Sequence, residues 1–161
     1  MLVPTETPLS RDIQFGPYRY GYHLRPPGDG NWAELTRLLA GLEADRFALV
    51  TDDGVPAGIR EGILDCVALA APHKPIQVSV SADEKAKDMI AVMNVYREVM
   101  SHGGNRRTVI VALGGGCVGN IAGLAAHLIL RGVRLVHIPT TLLHLSDAAV
   151  SLKQAVNADD G

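Results

Sequence analysis

The chain has 161 residues, a size suited to one domain with a sizeable core; 47% are hydrophobic and 20% charged, as in ordinary soluble globular proteins. A net charge of -2 gives no electrostatic case for binding nucleic acid or an anionic membrane. Two cysteines without a Cys-x-x-Cys pair suggest neither a disulfide framework nor a thiolate zinc site.

No apolar run approaches the roughly 18 residues that a membrane span needs. The N-terminus lacks a basic, apolar, small-residue signal pattern, so a cytoplasmic protein is expected. Residues Met1 to Ser10 carry two prolines and no periodicity and read as a loose arm. Ile13–Phe15 and Tyr18–Leu24 flank Gly16-Pro17, which predicts a hairpin. Arg25–Gly30 reads as a linker. Asn31 with Glu34 has the form of a capping box, and Trp32, Leu35, Leu38, Leu39 and Leu42 follow at helical spacing. Two regions follow from this: an arm and hairpin over 1–30, and an α/β domain over 31–161.

Within the second region, Arg46–Thr51 is a buried-type strand ending in Asp52-Asp53-Gly54. Pro56 then opens a helix with Ile59, Ile63, Val67 and Ala70 on one face. Pro75–Val80 is the next strand. Ser81–Glu84 lead into a helix with Met89, Met93, Tyr96 and Met100 on one side, ended by His102-Gly103-Gly104. Thr108–Leu113 and Val133–Ile138 are the last strands. Strands alternating with helices of this length predict a doubly wound, mainly parallel α/β sheet.

Four features could carry chemistry. Gly114 to Gly119 satisfies G-x-G-x-x-G between a strand and a helix, where backbone N–H groups can approach a pyrophosphate and the helix N-terminus favours its charge. Three adjacent glycines are equally a flexible turn. Arg131 and Arg134 occupy the region about 20 residues downstream where a ribose-binding acid is usual, leaving Asp52 as the better candidate beside its ordinary reading as a turn cap. Glu84 and Lys87 lie three apart, either a solvated ion pair or ligand contacts at a strand's carboxyl end. Pro139-Thr140-Thr141 offers hydroxyls to a ribose or phosphate, or caps the next helix through Thr140. Asp147 and Lys153 are the only Asp, Glu, Lys or Arg residues between Arg134 and Asp159. The lysine is either solvated or an anchor for an anionic substrate and a proton carrier. No histidine pair has helical ligand spacing. His127, inside an apolar helix, reads as a packed core residue, and no metal site can be assembled from the sequence.

The run GGGCVGN, the Arg131-Gly132 pair, and HIPTTLLHLSDAAVSLKQAVN resemble the sugar phosphate cyclase family, whose parent member is dehydroquinate synthase. The likeness runs from Thr51-Asp52 through Glu84 and Lys87 to Asn157. Asn120 and the SLKQAVN tail are similar to the branch that makes a deoxyinosose, whereas dehydroquinate synthase typically has aspartate and a Gly-Gly-Lys-Thr run there. Another cyclase acting on a C7 sugar phosphate is the alternative within the family.

The resemblance implies an NAD-binding α/β domain and a catalytic, non-redox use of NAD. Glucose 6-phosphate would be oxidised transiently, lose phosphate, be reduced again and close to a carbocycle by an intramolecular aldol step, a carbon–oxygen lyase reaction within aminoglycoside antibiotic biosynthesis. Asp52 would hold the ribose and Glu84 and Lys87 the adenosine side. Gly115, Gly116, Cys117, Val118, Gly119 and Asn120 would cradle the pyrophosphate, with Thr140 and Thr141 also on the cofactor. Asp147 would contact a substrate hydroxyl, and Lys153 would be the catalytic lysine near the substrate phosphate. The family continues into a Gly-Lys-Asn segment where Gly161 stands, and then into a mainly helical domain whose glutamate and two histidines bind cobalt or zinc. These residues are thus expected to be the N-terminal part of a longer, homodimeric enzyme, inactive alone. Two readings from other classes remain: an iron-type polyol dehydrogenase, whose usual Thr-Thr-Ala-Gly-Thr-Gly-Ser stretch Thr140 to His144 does not match, and a non-catalytic nucleotide-binding module.

Overall fold

In a computed structural model of the chain, residues 9–24, 32–151 and 153–158 are described. The predicted Asn31 cap, the linker over Arg25–Gly30 and most of the N-terminal arm lie outside them. The chain divides into two compact units, residues 1–31 and 32–161. In the first, β1 (Leu9–Phe15) pairs antiparallel with β2 (Tyr18–Leu24), from Leu9 opposite Leu24 to Phe15 opposite Tyr18. Gly16, at φ +56°, turns the hairpin with Pro17, a backbone region that favours glycine. The ladder begins before the expected Ile13, so Leu9 and Ser10 belong to the strand and not to the arm.

The second unit runs α1 (Trp32–Ala40), β3 (Arg46–Thr51), α2 (Ala57–Ala70), β4 (Ile76–Ser79), α3 (Met89–Ser101), β5 (Thr108–Gly114), α4 (Gly116–Leu128), β6 (Arg134–Pro139) and α5 (Leu142–Ser146). Its sheet has the order β4-β3-β5-β6, and every pairing is parallel. Successive strand residues point to opposite faces, and helices cover both, which is why these strands read as continuous apolar runs. Ala48, Val50, Ile110 and Ala112 face Val92, Val95 and Val99 of α3 and Val118, Ile121 and Ala125 of α4. Phe47, Leu49, Val109, Val111 and Leu113 face Leu39 of α1 and Ile63, Cys66 and Val67 of α2. The α/β architecture with helices on both faces of a parallel sheet is therefore the one expected. No helix among the described residues is long and apolar enough to cross a membrane.

Several local expectations need correction. The α3 core stripe is Val92, Val95 and Val99; Met89 is exposed, and Tyr96 and Met100 only flank the core. Both sets have helical spacing, and the compact β-branched set lies nearest the sheet. Ile59 is exposed, and the buried face of α2 is carried by Ile63, Cys66 and Val67 instead. No α-helix starts at Ser81–Glu84: a single 3-10 turn, Glu84–Ala86, comes first, and Asp88 caps a separate α3 by accepting the Ala91 N–H at 2.8 Å. His127 is exposed near the end of α4, not packed in the core.

The strand order places a switch point between β3 and β5: the chain leaves β3 for β4 on one side and β5 for β6 on the other. Ligands in open parallel sheets bind at the carboxyl edge of such a point. Asp52 follows β3 and Gly115 follows β5, one on each side of it.

Candidate functional site

The turn after β5 is built from glycines for separable reasons. Gly114 has φ +157°, and a Cβ there would stand 2.8 Å from Asp52 Oδ2 and 2.7 Å from Val118 Cγ2. Gly115 is the N-cap of α4, with Thr141 Cγ2 3.4 Å from where its Cβ would be. Gly116 opens the helix, and a Cβ on it would meet nothing within 4 Å. The first helical bond runs from the Gly119 N–H to the Gly115 carbonyl at 3.0 Å, so the amides of Gly116, Cys117 and Val118 precede the intrahelical ladder. Three donors thus stand at a positive helix end, with open space at Gly116.

Gly119 serves another purpose. A Cβ on it would lie 2.5 Å from His144 Nε2, so this glycine makes room for an imidazole. Asn120 is tied at both ends of its amide. Its Nδ2 donates to the Gly116 carbonyl at 2.9 Å, and its Oδ1 accepts the Ala155 N–H at 2.9 Å.

Asp52 fulfils its turn-cap reading: Oδ1 accepts the Gly54 N–H at 2.7 Å, while Oδ2 faces Gly114 across the switch point. The residue is 5% exposed, its carboxyl held between the two turns. Arg134, by contrast, lies at the amino end of β6 and donates to the Leu42 carbonyl at the opposite edge of the sheet.

The loop after β4 is drawn to the same edge. The Cys117 thiol lies 3.4 Å from the Ser81 carbonyl and 3.6 Å from the Asp83 carbonyl, either of which it can donate to. Burial, aided by the Glu84 carboxylate, pushes that thiol up, so it stays a protonated donor and not a nucleophile. Glu84 and Lys87 form an ion pair on the 3-10 turn. The Lys87 side chain is 15% exposed, more buried than a solvated surface lysine.

The cap of α5 falls on Thr141 and not on Thr140. Thr141 caps α5, its hydroxyl accepting the His144 N–H at 3.2 Å, while the Thr140 side chain is exposed and its N–H donates to the Gly114 carbonyl at 3.0 Å. Asp147 is exposed at the end of α5, where its carbonyl accepts the Ser151 N–H at 3.0 Å. The tail after it runs back over α4. Lys153 is exposed, and two residues later Ala155 is pinned by Asn120. Gln154 packs where a Cβ on Gly123 would be 2.6 Å from its Oε1. Asn157 donates from Nδ2 to the Glu84 carbonyl at 2.7 Å and from its N–H to the Lys87 carbonyl at 2.8 Å. The candidates Asp52, Glu84, Lys87, Gly115 to Asn120, Thr140 and Thr141 therefore share one carboxyl edge, with Lys153 on a strap that closes back to it.

Sequence reasoning missed the pairing of His144 with His137. His144 is fully buried, with Nδ1 2.8 Å from the Gly114 carbonyl oxygen and Nε2 3.1 Å from His137 Nδ1. Burial and the neighbouring His144 push His137 down to about 4. A seven-residue spacing between a strand and a short helix has no periodic signature; only the Pro-Thr-Thr turn that folds one onto the other pairs them. Asn157 was likewise unmarked. Among the described residues no group of three or more His, Cys, Asp or Glu could hold a metal ion.

Comparison with known proteins gives a consistent result. A family profile described as 3-dehydroquinate synthase N-terminal matches residues 77–161. The 2-deoxy-scyllo-inosose synthase of Streptomyces ribosidificus is 51% identical over 155 residues, covering 96% of this chain and 38% of that protein. A crystal structure of 2-deoxy-scyllo-inosose synthase complexed with carbaglucose-6-phosphate, NAD+ and Co2+ superposes with a TM-score of 0.84 at 33% identity, over 95% of this chain and 41% of that one. ValA, the 2-epi-5-epi-valiolone synthase of Streptomyces hygroscopicus subsp. jinggangensis 5008 with NAD+ and Zn2+ bound, superposes with a TM-score of 0.65 at 31% identity, over 76% and 35% respectively. The chain thus spans well under half the length of the relatives it matches.

Proposed function

The chain belongs to the 3-dehydroquinate synthase N-terminal family, and on that premise we propose that it is the cofactor-binding part of a sugar phosphate cyclase that converts glucose 6-phosphate to 2-deoxy-scyllo-inosose. The observation that carries the reading is the convergence of Asp52, the open first turn of α4 and Thr140 on one switch point of the sheet.

The residues present fit NAD. The amides of Gly116, Cys117 and Val118 would bind the pyrophosphate, because a Cβ on Gly116 meets nothing within 4 Å and the ladder begins only at Gly119. Asp52 Oδ2, between the two turns, would accept from a ribose hydroxyl, and the exposed Thr140 hydroxyl would serve the same cofactor. Glu84 and Lys87 would line the adenosine side, with Asn157 holding the backbone of their turn. Gly119 and Asn120 support this cradle from behind. When bound there, NAD would take up a hydride from the sugar and return it, so the overall reaction is non-redox.

Asp147 would orient a substrate hydroxyl. Lys153, a strongly hydrated point charge on a flexible stem, would hold the substrate phosphate and carry a proton. The cobalt or zinc carried by the related structures finds no ligand set among the described residues. The longer protein would form a homodimer.

Calorimetric titration of this chain with NAD tests the cradle: saturable binding that Gly116→Val abolishes is expected, and no heat from a folded wild-type chain would refute it. For the longer protein, release of phosphate from glucose 6-phosphate with NAD and cobalt, without net NADH, is expected. Accumulation of NADH with a polyol would point to a dehydrogenase instead.

A further inference from the structure

We propose that His144 is a positioning residue for the cofactor turn: it holds the last carbonyl of β5 and fills the space behind the first turn of α4. The inference rests on the reading of that turn as the NAD pyrophosphate cradle.

Proton placement follows from the geometry. A carbonyl oxygen only accepts, so His144 Nδ1, 2.8 Å from the Gly114 oxygen, carries the hydrogen. In a neutral ring Nε2 is then a bare acceptor, and His137 Nδ1, 3.1 Å away, donates to it. The two rings meet edge-on at 88° with centroids 5.1 Å apart. Burial, with His144 beside it, pushes His137 down to about 4.

His144 is thereby fixed at both nitrogens with no exposed surface. The Gly114 carbonyl it holds also accepts the Thr140 N–H at 3.0 Å, so one donor from the β6–α5 connection and one from α5 set the direction of one peptide. That peptide joins Gly114, at φ +157°, to Gly115, the N-cap of α4. The other side of the imidazole is where a Cβ on Gly119 would be, 2.5 Å from Nε2. The ring thus touches the turn at its start and one helical turn later, bracketing the three amides of the cradle. A peptide rotated at Gly114 would tilt those amides away from one ligand oxygen.

The test uses this chain, NAD and two variants at a temperature well below melting. In His144→Asn, the side-chain Nδ2 takes the place of Nδ1 and keeps the donor to Gly114. In His144→Leu, the bulk stays and the donor is lost. His144→Leu is expected to weaken NAD binding by about tenfold, and His144→Asn by no more than about threefold. A purely structural role would lower the melting temperature of both variants and leave the affinity of the folded protein unchanged; that result overturns the proposal. Nitrogen-15 NMR of the His144 ring reads the same point without NAD: a protonated Nδ1 and bare Nε2 are expected, and the opposite tautomer overturns it. If the folded wild-type chain binds no NAD, the cradle reading falls and this role with it. If it binds and His144→Leu binds equally well, only the role of His144 falls.

Discussion

Replacing Gly119 with alanine puts the tightest contact at the site under test. The new Cβ would lie 2.5 Å from His144 Nε2, 2.6 Å from Cε1 and 3.3 Å from Cδ2. Unstrained heavy-atom contacts lie at about 3.5–4.0 Å, so the shortfall is on the order of 1 Å. The imidazole cannot swing aside, because Gly114 holds one nitrogen and His137 the other. Overpacking of this kind costs about 1–3 kcal/mol. Against it stands the gain from alanine over glycine inside a helix, up to about 1 kcal/mol. The net expectation is destabilisation by about 1–2 kcal/mol, or a melting temperature lower by about 2–8 °C at this chain length. In a His144→Ala background the contact is gone, so the same substitution should stabilise by about 0.5–1 kcal/mol. Urea denaturation of the four proteins of this cycle measures the coupling, expected at about 2 kcal/mol. Equal destabilisation in both backgrounds would refute the claim that His144 keeps Gly119 small.

Gly116→Val is the contrasting case: its Cβ enters open space at the first helical position, so the melting temperature should hold while calorimetric NAD binding is lost. A pH dependence follows from His137, whose folded value of about 4 lies below the ordinary 6.5. The unfolded chain binds the proton more readily, so the stability is fully present above about pH 6.5 and is lost as pH falls toward 4, by at most about 3 kcal/mol. Denaturation midpoints should therefore fall between about pH 7 and pH 5, and His137→Gln should remove that part of the slope. Asn120→Leu removes the acceptor for the Ala155 N–H, so amide exchange at Ala155 should speed up by about tenfold, whereas Asn120→Asp should retain protection.

Much of the architecture was legible because it rests on local rules. Arg46–Thr51 and Thr108–Leu113 read as buried strands because both of their faces are covered, and a doubly covered strand needs an unbroken apolar run. The glycine turn was visible because Gly114 needs a positive φ and Gly116 an open approach. The family likeness likewise resided in contiguous motifs. Side-chain direction was less legible. In α3 two helical stripes one position apart, the methionine set and the valine set, fit the same period, and contact with the sheet chose the valines. For His127 the apolar neighbours implied burial, yet it falls on the outer side of α4, near its end.

The sequence by itself determined the alternation of strands and helices, the parallel sheet and the place of the nucleotide-type turn, since each depends on periodicity and backbone preference within a few residues. Only the tertiary structure decided which side chains complete that turn. Gly119 is small because of His144, Asn120 faces the tail at Ala155, Thr141 and not Thr140 caps α5, and Asn157 returns to the turn of Glu84 and Lys87. The reason is physical: these partners lie up to 73 positions apart, and a hydrogen bond across such a span leaves no periodic trace in the chain.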